Sequence, residues 1–149
     1  IQLLNGIIVY TKGDKKYFFY MQDFKNNNFL EFPKEEKKDN SAYDEITEDA
    51  LNYLIFYCKK GKKIDAYTTD IQELLTTVEC DKIEYIPLIS DNGGINSEIF
   101  FFKIIKDGKR GLICVKRSYQ LAQTTILLGP NNDVIEKIDE IVIPTTDSA

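Results

Sequence analysis

Ser41-Ala42-Tyr43-Asp44-Glu45-Ile46-Thr47-Glu48-Asp49-Ala50-Leu51-Asn52-Tyr53-Leu54-Ile55-Phe56-Tyr57-Cys58-Lys59-Lys60-Gly61 is the stretch whose reading decides the fold class. Ser41 with Asp44 three positions on resembles a capping box, Asp standing where Glu or Gln is usual. Tyr43, Ile46, Ala50, Tyr53 or Leu54, and Tyr57 recur at helical spacing. Lys59 and Lys60 suit the negative end of a helix, and Gly61 suits its cap. The spacing therefore predicts a helix over about 42–60 that buries Ile46, Ala50, Leu54 and Tyr57.

Downstream, Lys63-Ile64-Asp65-Ala66-Tyr67 reads as a strand. Thr69-Asp70-Ile71-Gln72 is a Thr-x-x-Gln capping box. Ile71, Leu74, Leu75 and Val78 follow at i, i+3, i+4 and i+7, which predicts a second helix over about 70–79. Ile83 to Ile89 is a strand, placed at a sheet edge or strand end by Pro87, which cannot donate to a ladder. Residues 90–97, with two glycines, read as a loop.

The remainder rests on two hairpins. In Ile99-Phe100-Phe101-Phe102-Lys103-Ile104-Ile105-Lys106-Asp107-Gly108-Lys109-Arg110-Gly111-Leu112-Ile113-Cys114-Val115-Lys116-Arg117, two β-prone runs flank Asp107-Gly108, the signature of a type I′ turn. That turn pairs Lys106 with Lys109, Ile104 with Gly111, Phe102 with Ile113 and Phe100 with Val115. One face is then wholly apolar, a core face. The other carries Phe101, Lys103, Ile105, Arg110, Leu112, Cys114 and Lys116. The second hairpin spans about 6–20 around Gly13-Asp14, with Ile8, Tyr10, Tyr17 and Phe19 on one face and Ile7, Val9, Phe18 and Tyr20 on the other. Both faces are apolar, which fits a pair covered on both sides or one with an interface. Further expectations are a turn at 25–28, a short strand at 29–32, a solvated loop at 33–40, a turn at 129–132 and a strand ending at Ile143. Residues 118–128 read equally as strand or short helix. The expected fold is α+β: a mainly antiparallel sheet on two hairpins, with the two helices packed against it.

The chain of 149 residues fits one domain, 1–149. It opens on Ile1 without an initiator Met, which suggests a fragment of a longer protein. Its net charge of −5 disfavours a nucleic-acid binder that uses its whole surface, while leaving room for a local basic patch. No apolar run reaches the roughly 20 residues of a spanning helix, so no membrane insertion is expected. No signal peptide is evident, which makes the cytoplasm the expected compartment. Cys58, Cys80 and Cys114 show no CxxC spacing and point to buried thiols rather than a disulfide frame or zinc site.

The chain has no histidine, which removes the commonest general base, the commonest metal ligand and the Ser-His and Cys-His pairs. An enzyme here would depend on carboxylates, Lys, Tyr or a cofactor; no cofactor is expected. The Glu-x-Lys within Glu35-Glu36-Lys37-Lys38 follows Pro33 in a loop rather than on a strand, which argues against a nuclease triplet. Asp44, Glu45, Glu48 and Asp49 read as a solvated face at a helix start. No P-loop, dinucleotide fingerprint or nucleophile elbow is present.

The candidate binding residues are therefore Lys103, Arg110 and Lys116, with Phe101 as a stacking platform and Lys109 and Arg117 extending the basic set. Solubilising lysines on strands are the competing reading. From Ile83 onward the pattern also resembles the KwaB-like family of bacterial antiphage (Kiwa) proteins. The features are Ser97-Glu98-Ile99-Phe100-Phe101-Phe102-Lys103, the basic hairpin running into Lys116-Arg117-Ser118-Tyr119, and the closing Ile138-Asp139-Glu140-Ile141-Val142-Ile143-Pro144. The resemblance covers the last 65 or so residues. It implies a cytoplasmic, DNA-associated defence protein that acts by binding and assembly, and it carries no catalytic residue onto this chain. The leading expectation is a non-catalytic binding or assembly domain with a protein partner or a second copy of itself. The alternatives are a nucleic-acid-binding module using the 99–117 hairpin, and a histidine-independent enzyme.

Overall fold

The computed structural model describes residues 1–21, 42–70, 72–90, 99–118, 121–128 and 141–143. The expected turn at 25–28, strand at 29–32, loop at 33–40, Glu-x-Lys segment and turn at 129–132 lie outside these residues, as does all of the 90–97 loop except Ser90. Among the described residues the fold is β throughout. The α+β expectation is overturned, and neither predicted helix exists.

The strands among these residues are, in order, β1 Gln2–Leu4, β2 Ile7–Lys12, β3 Lys15–Tyr20, β4 Glu45–Glu48, β5 Ile55–Lys60, β6 Lys63–Thr68, β7 Leu74–Glu79, β8 Lys82–Ile86, β9 Leu88–Ser90, β10 Ile99–Lys106, β11 Lys109–Ser118, β12 Leu121–Leu128 and β13 Ile141–Ile143. They form antiparallel sheets ordered β1-β2-β3, β4-β5-β6-β7 and β12-β11-β10-β8, and a small parallel pair β13-β9. Both predicted hairpins are present with the expected register. Asp107 (φ 53°) and Gly108 (φ 76°) both take the left-handed conformation that a type I′ turn needs. Pro87 separates β8 from β9, and β8 is an edge strand, as proline there requires.

The sheets stack as three layers with β4–β7 in the middle. Ile55 and Tyr57 of β5 join Ile64, Ala66 and Leu75 against Tyr85, Phe100, Phe102, Ile113 and Val115 of the third sheet. The alternate residues Phe56 and Cys58 face the other way, against Ile7, Val9, Phe18 and Tyr20 of the first sheet. A strand buried on both faces has no polar side, so it reads as a continuous apolar run. This explains Ile55-Phe56-Tyr57-Cys58, and why the helical spacing over 42–60 misled. Ile46 and Tyr57 are buried as expected, but on different strands; Ala50 is exposed in the turn between them.

The second false helix has a separate cause. The β6–β7 ladder shifts register between Ala66 and Tyr67, so that Ala66 pairs with Thr76 and Tyr67 with Leu74. The extra residue, Leu75, then turns to the same core as Val78. A bulge breaks strict alternation and imitates helical spacing. Gln72, the last residue of the expected capping box, adopts φ 54°, which a helical first turn does not allow.

The chain changes layer at two short crossings. Tyr43 exchanges backbone bonds with Lys16 of the first sheet, and the next residue, Asp44, donates to Lys59 O of the middle sheet. Likewise Cys80 N donates to Lys62 O, and Asp81 N donates to Ile105 O of the third sheet. Thr76 and Thr124 share a 2.7 Å hydroxyl hydrogen bond, which brings β7 and β12 together on one side of the middle and third sheets.

Candidate functional site

On the opposite side, the β4–β5 edge of the middle sheet and β8 of the third stand apart. A cleft of about 460 Å³ opens between them. Tyr57, Ile64, Ile83 and Tyr85 line it from the core, and Thr47, Ala50, Leu51 and Lys59 from the middle sheet and its turn. Glu45, Asp49 and Asp81 bring carboxylates to it against the amine of Lys59, so negative charge dominates; Glu48 also lines it but turns its Oε1 to Asn5 N, and Lys82 and Glu84 alternate toward the outer face of the third sheet. Low-dielectric walls lined by one sign of charge concentrate its field.

Asp49 organises the cleft. Its Oδ2 accepts from Leu51 N and Asn52 N, each at 2.9 Å, which folds the turn out of β4. Its Oδ1 accepts from the Tyr57 hydroxyl and, at 3.1 Å, from Tyr85 N on β8. One buried carboxylate thus satisfies four donors and ties the middle sheet to the third. Burial raises the Tyr57 hydroxyl well above the usual tyrosine range, and the Asp49 charge raises it further. Tyr57 therefore keeps its proton and serves as a hydrogen-bond donor. Asp81 Oδ2 accepts from Asp107 N at 2.8 Å, fixing the hairpin tip, and Lys82 pairs with Glu84 at 2.9 Å. These groups give the cleft shape and negative potential.

The hairpin residues predicted from sequence divide between two faces. Phe101, Lys103, Arg110 and Lys116 alternate onto the outer face of the third sheet, as expected. Phe101 packs there against Ile86 and Leu112, which are only 1% and 7% exposed, so the centre of that face is not open. Lys103 stands across from Leu112 on one side and Glu84 on the other, so a carboxylate adjoins it. Arg110 pairs with Ile105, diagonal to Lys103. Lys116 pairs with Ile99, four residues beyond Lys103's partner, or about 13 Å along the strand. Lys103 and Arg110 are neighbours; Lys116 is not part of their group. Lys109 pairs with Lys106 at the turn, in register with the inner face, and Lys106 reaches Glu79 of the middle sheet at 3.6 Å. Arg117 also follows the inner alternation, its guanidinium 5.4 Å from the centre of the Phe100 ring.

Sequence reasoning misses the cleft because three of its acidic residues, Glu45, Glu48 and Asp49, read as a solvated helix start. The available signal was Asp49-Ala50-Leu51-Asn52, an Asp followed by a turn-forming Asn between two β-prone runs, which is Asx-turn chemistry. Among the described residues no group of His, Cys, Asp or Glu is placed to hold a metal ion. No helix among them is long and apolar enough to cross a membrane. No family model, curated protein or solved structure matches this chain.

Proposed function

We propose that this chain is a non-catalytic binding module and that it binds a positively charged ligand in the cleft between β4–β5 and β8. The observation that carries this reading is the cleft itself: a tyrosine-and-aliphatic interior under a rim on which carboxylates outnumber amines. Its one buried carboxylate is committed to four donors, and its buried tyrosine holds its proton, so both groups favour recognition over proton transfer. The three thiols, none in a disulfide, support the reducing cytoplasm as the setting.

The test is a titration of the isotope-labelled chain followed by amide NMR shifts. Arginine amide should move the signals of Thr47, Ala50, Asp81 and Glu84. Thr47→Trp, which fills the cleft from an exposed strand position, should abolish the response without lowering the melting temperature. A short DNA oligonucleotide serves as the opposing probe. If it shifts Lys103, Arg110 and Lys116 while arginine amide shifts nothing, the cleft reading is wrong and the basic hairpin is the binding surface.

A further inference from the structure

The turn between β4 and β5 holds two large apolar side chains out in water. Leu51 is 68% exposed and Tyr53 64%. The backbone beneath them is tied at nearly every step. Asp49 binds the N–H groups of Leu51 and Asn52, Asn52 Oδ1 accepts from Leu54 N at 3.0 Å, and Asn52 O accepts from Ile55 N. Tyr53 O accepts from Asn5 Nδ2 of the first sheet at 3.1 Å. A turn held this way cannot fold Leu51 and Tyr53 back onto the core. Preorganised apolar and tyrosine side chains are what protein contacts use, because little ordering entropy remains to be lost on binding.

Leu51 also lines the cleft and Tyr53 stands two residues on in the same turn, so an exposed apolar turn adjoins the negative rim. We infer that this surface docks a basic, apolar-containing segment of a partner polypeptide, a Lys or Arg entering the cleft while neighbouring aliphatic or aromatic side chains cover Leu51 and Tyr53. The inference rests on the cleft reading above and names its occupant. Charge complementarity selects the class: the rim repels phosphates and attracts ammonium or guanidinium groups. The apolar pair asks for more than charge, which separates a polypeptide from a polyamine. The segment docks through its side chains rather than by adding a strand to β8, because Asp49 occupies the Tyr85 N–H and Pro87 has none.

The experiment uses a fluorescent hexapeptide of alternating lysine and leucine, titrated into the full chain by anisotropy. Its comparisons are a lysine–serine hexapeptide, a glutamate–leucine hexapeptide and spermine. The lysine–leucine peptide should bind tightest. Leu51→Ser with Tyr53→Ser, which change exposed side chains and leave the backbone bonds of the turn in place, should weaken it about ten-fold or more, the loss of a contact hot spot. Thr47→Trp should weaken it as well. If the lysine–serine peptide or spermine binds as well and the double variant changes nothing, the cleft takes cations alone: the inference falls and the cleft reading stands. If no cationic probe binds, both fall. If the chain self-associates in a way that Leu51→Ser and Tyr53→Ser abolish, the occupant is a second copy and the inference is overturned.

Discussion

Asp49 shows how one side chain can hold two sheets together through four hydrogen bonds. Its four donors include the Tyr57 hydroxyl and the Tyr85 N–H, both at buried residues. Asp49→Ala leaves both unsatisfied and frees the turn, so it should destabilise the fold by about 3 kcal/mol or more. Urea denaturation measures this directly. A loss under about 0.5 kcal/mol, the range of ordinary surface changes, would mean that the sheets are held by apolar packing alone. The sequence identified Asp49 as acidic but not as buried: four carboxylates within six residues look like a solvated face, and only the turn they enter separates the one that packs from the three that do not.

At the scale of elements, legibility followed locality. Both hairpins could be read because turn dipeptide and flanking strands lie within about twenty residues, and the dipeptide fixes the pairing. Of the middle sheet only β6 could, as the expected strand over 63–67; the rest could not, because burial on both faces of β5 erases the period and the β7 bulge supplies a false one. The candidate site followed the same rule. The outer-face residues of the hairpin were placed correctly by register, while the cleft depends on two edges, β4 and β8, that no local signal joins. The layering has a measurable consequence. Amide hydrogens of β5 and β6, shielded by a sheet on each side, should exchange most slowly in the native protein. Greater protection in β2 and β3 than in β5 would contradict a three-layer order with β4–β7 at its centre.

At the scale of the molecule, both cores hold groups that resist ionisation. Tyr57 and Cys80 belong to one, Tyr43 and Cys58 to the other, with Tyr67 packed beside them. Burial raises all of them; Cys80 is pushed up to about 11, and Tyr43 is raised further by its bonds to Tyr67 and Asp65. Their unfolded values are near 9 for the thiols and 10 for the tyrosines. Above those values the unfolded chain releases protons that the folded chain retains, so stability must fall as pH rises. Stability should therefore hold up to about pH 9 and then decline steeply toward the folded-state values. Urea midpoints across this range provide the check, and equal midpoints at about pH 8 and 10.5 would contradict the burial of these groups.

The two-sided burial of β5 also bears on how its alignment is encoded. A strand with one wet face is kept in place because a slip of one residue turns its apolar side toward water. β5 has no wet face over Ile55–Cys58, and a slipped β5 would still present apolar side chains to both neighbours. Hydrophobicity there carries almost no information about alignment. That information resides at the ends of the strand. At one end Gly61, at φ 60°, sets the turn into β6 and gives its N–H to Asp44 Oδ2 at 2.8 Å. At the other, Asp49 sets the turn out of β4 and takes the Tyr57 hydroxyl. The apolar run supplies the adhesion, and two aspartates at its margins act as its punctuation.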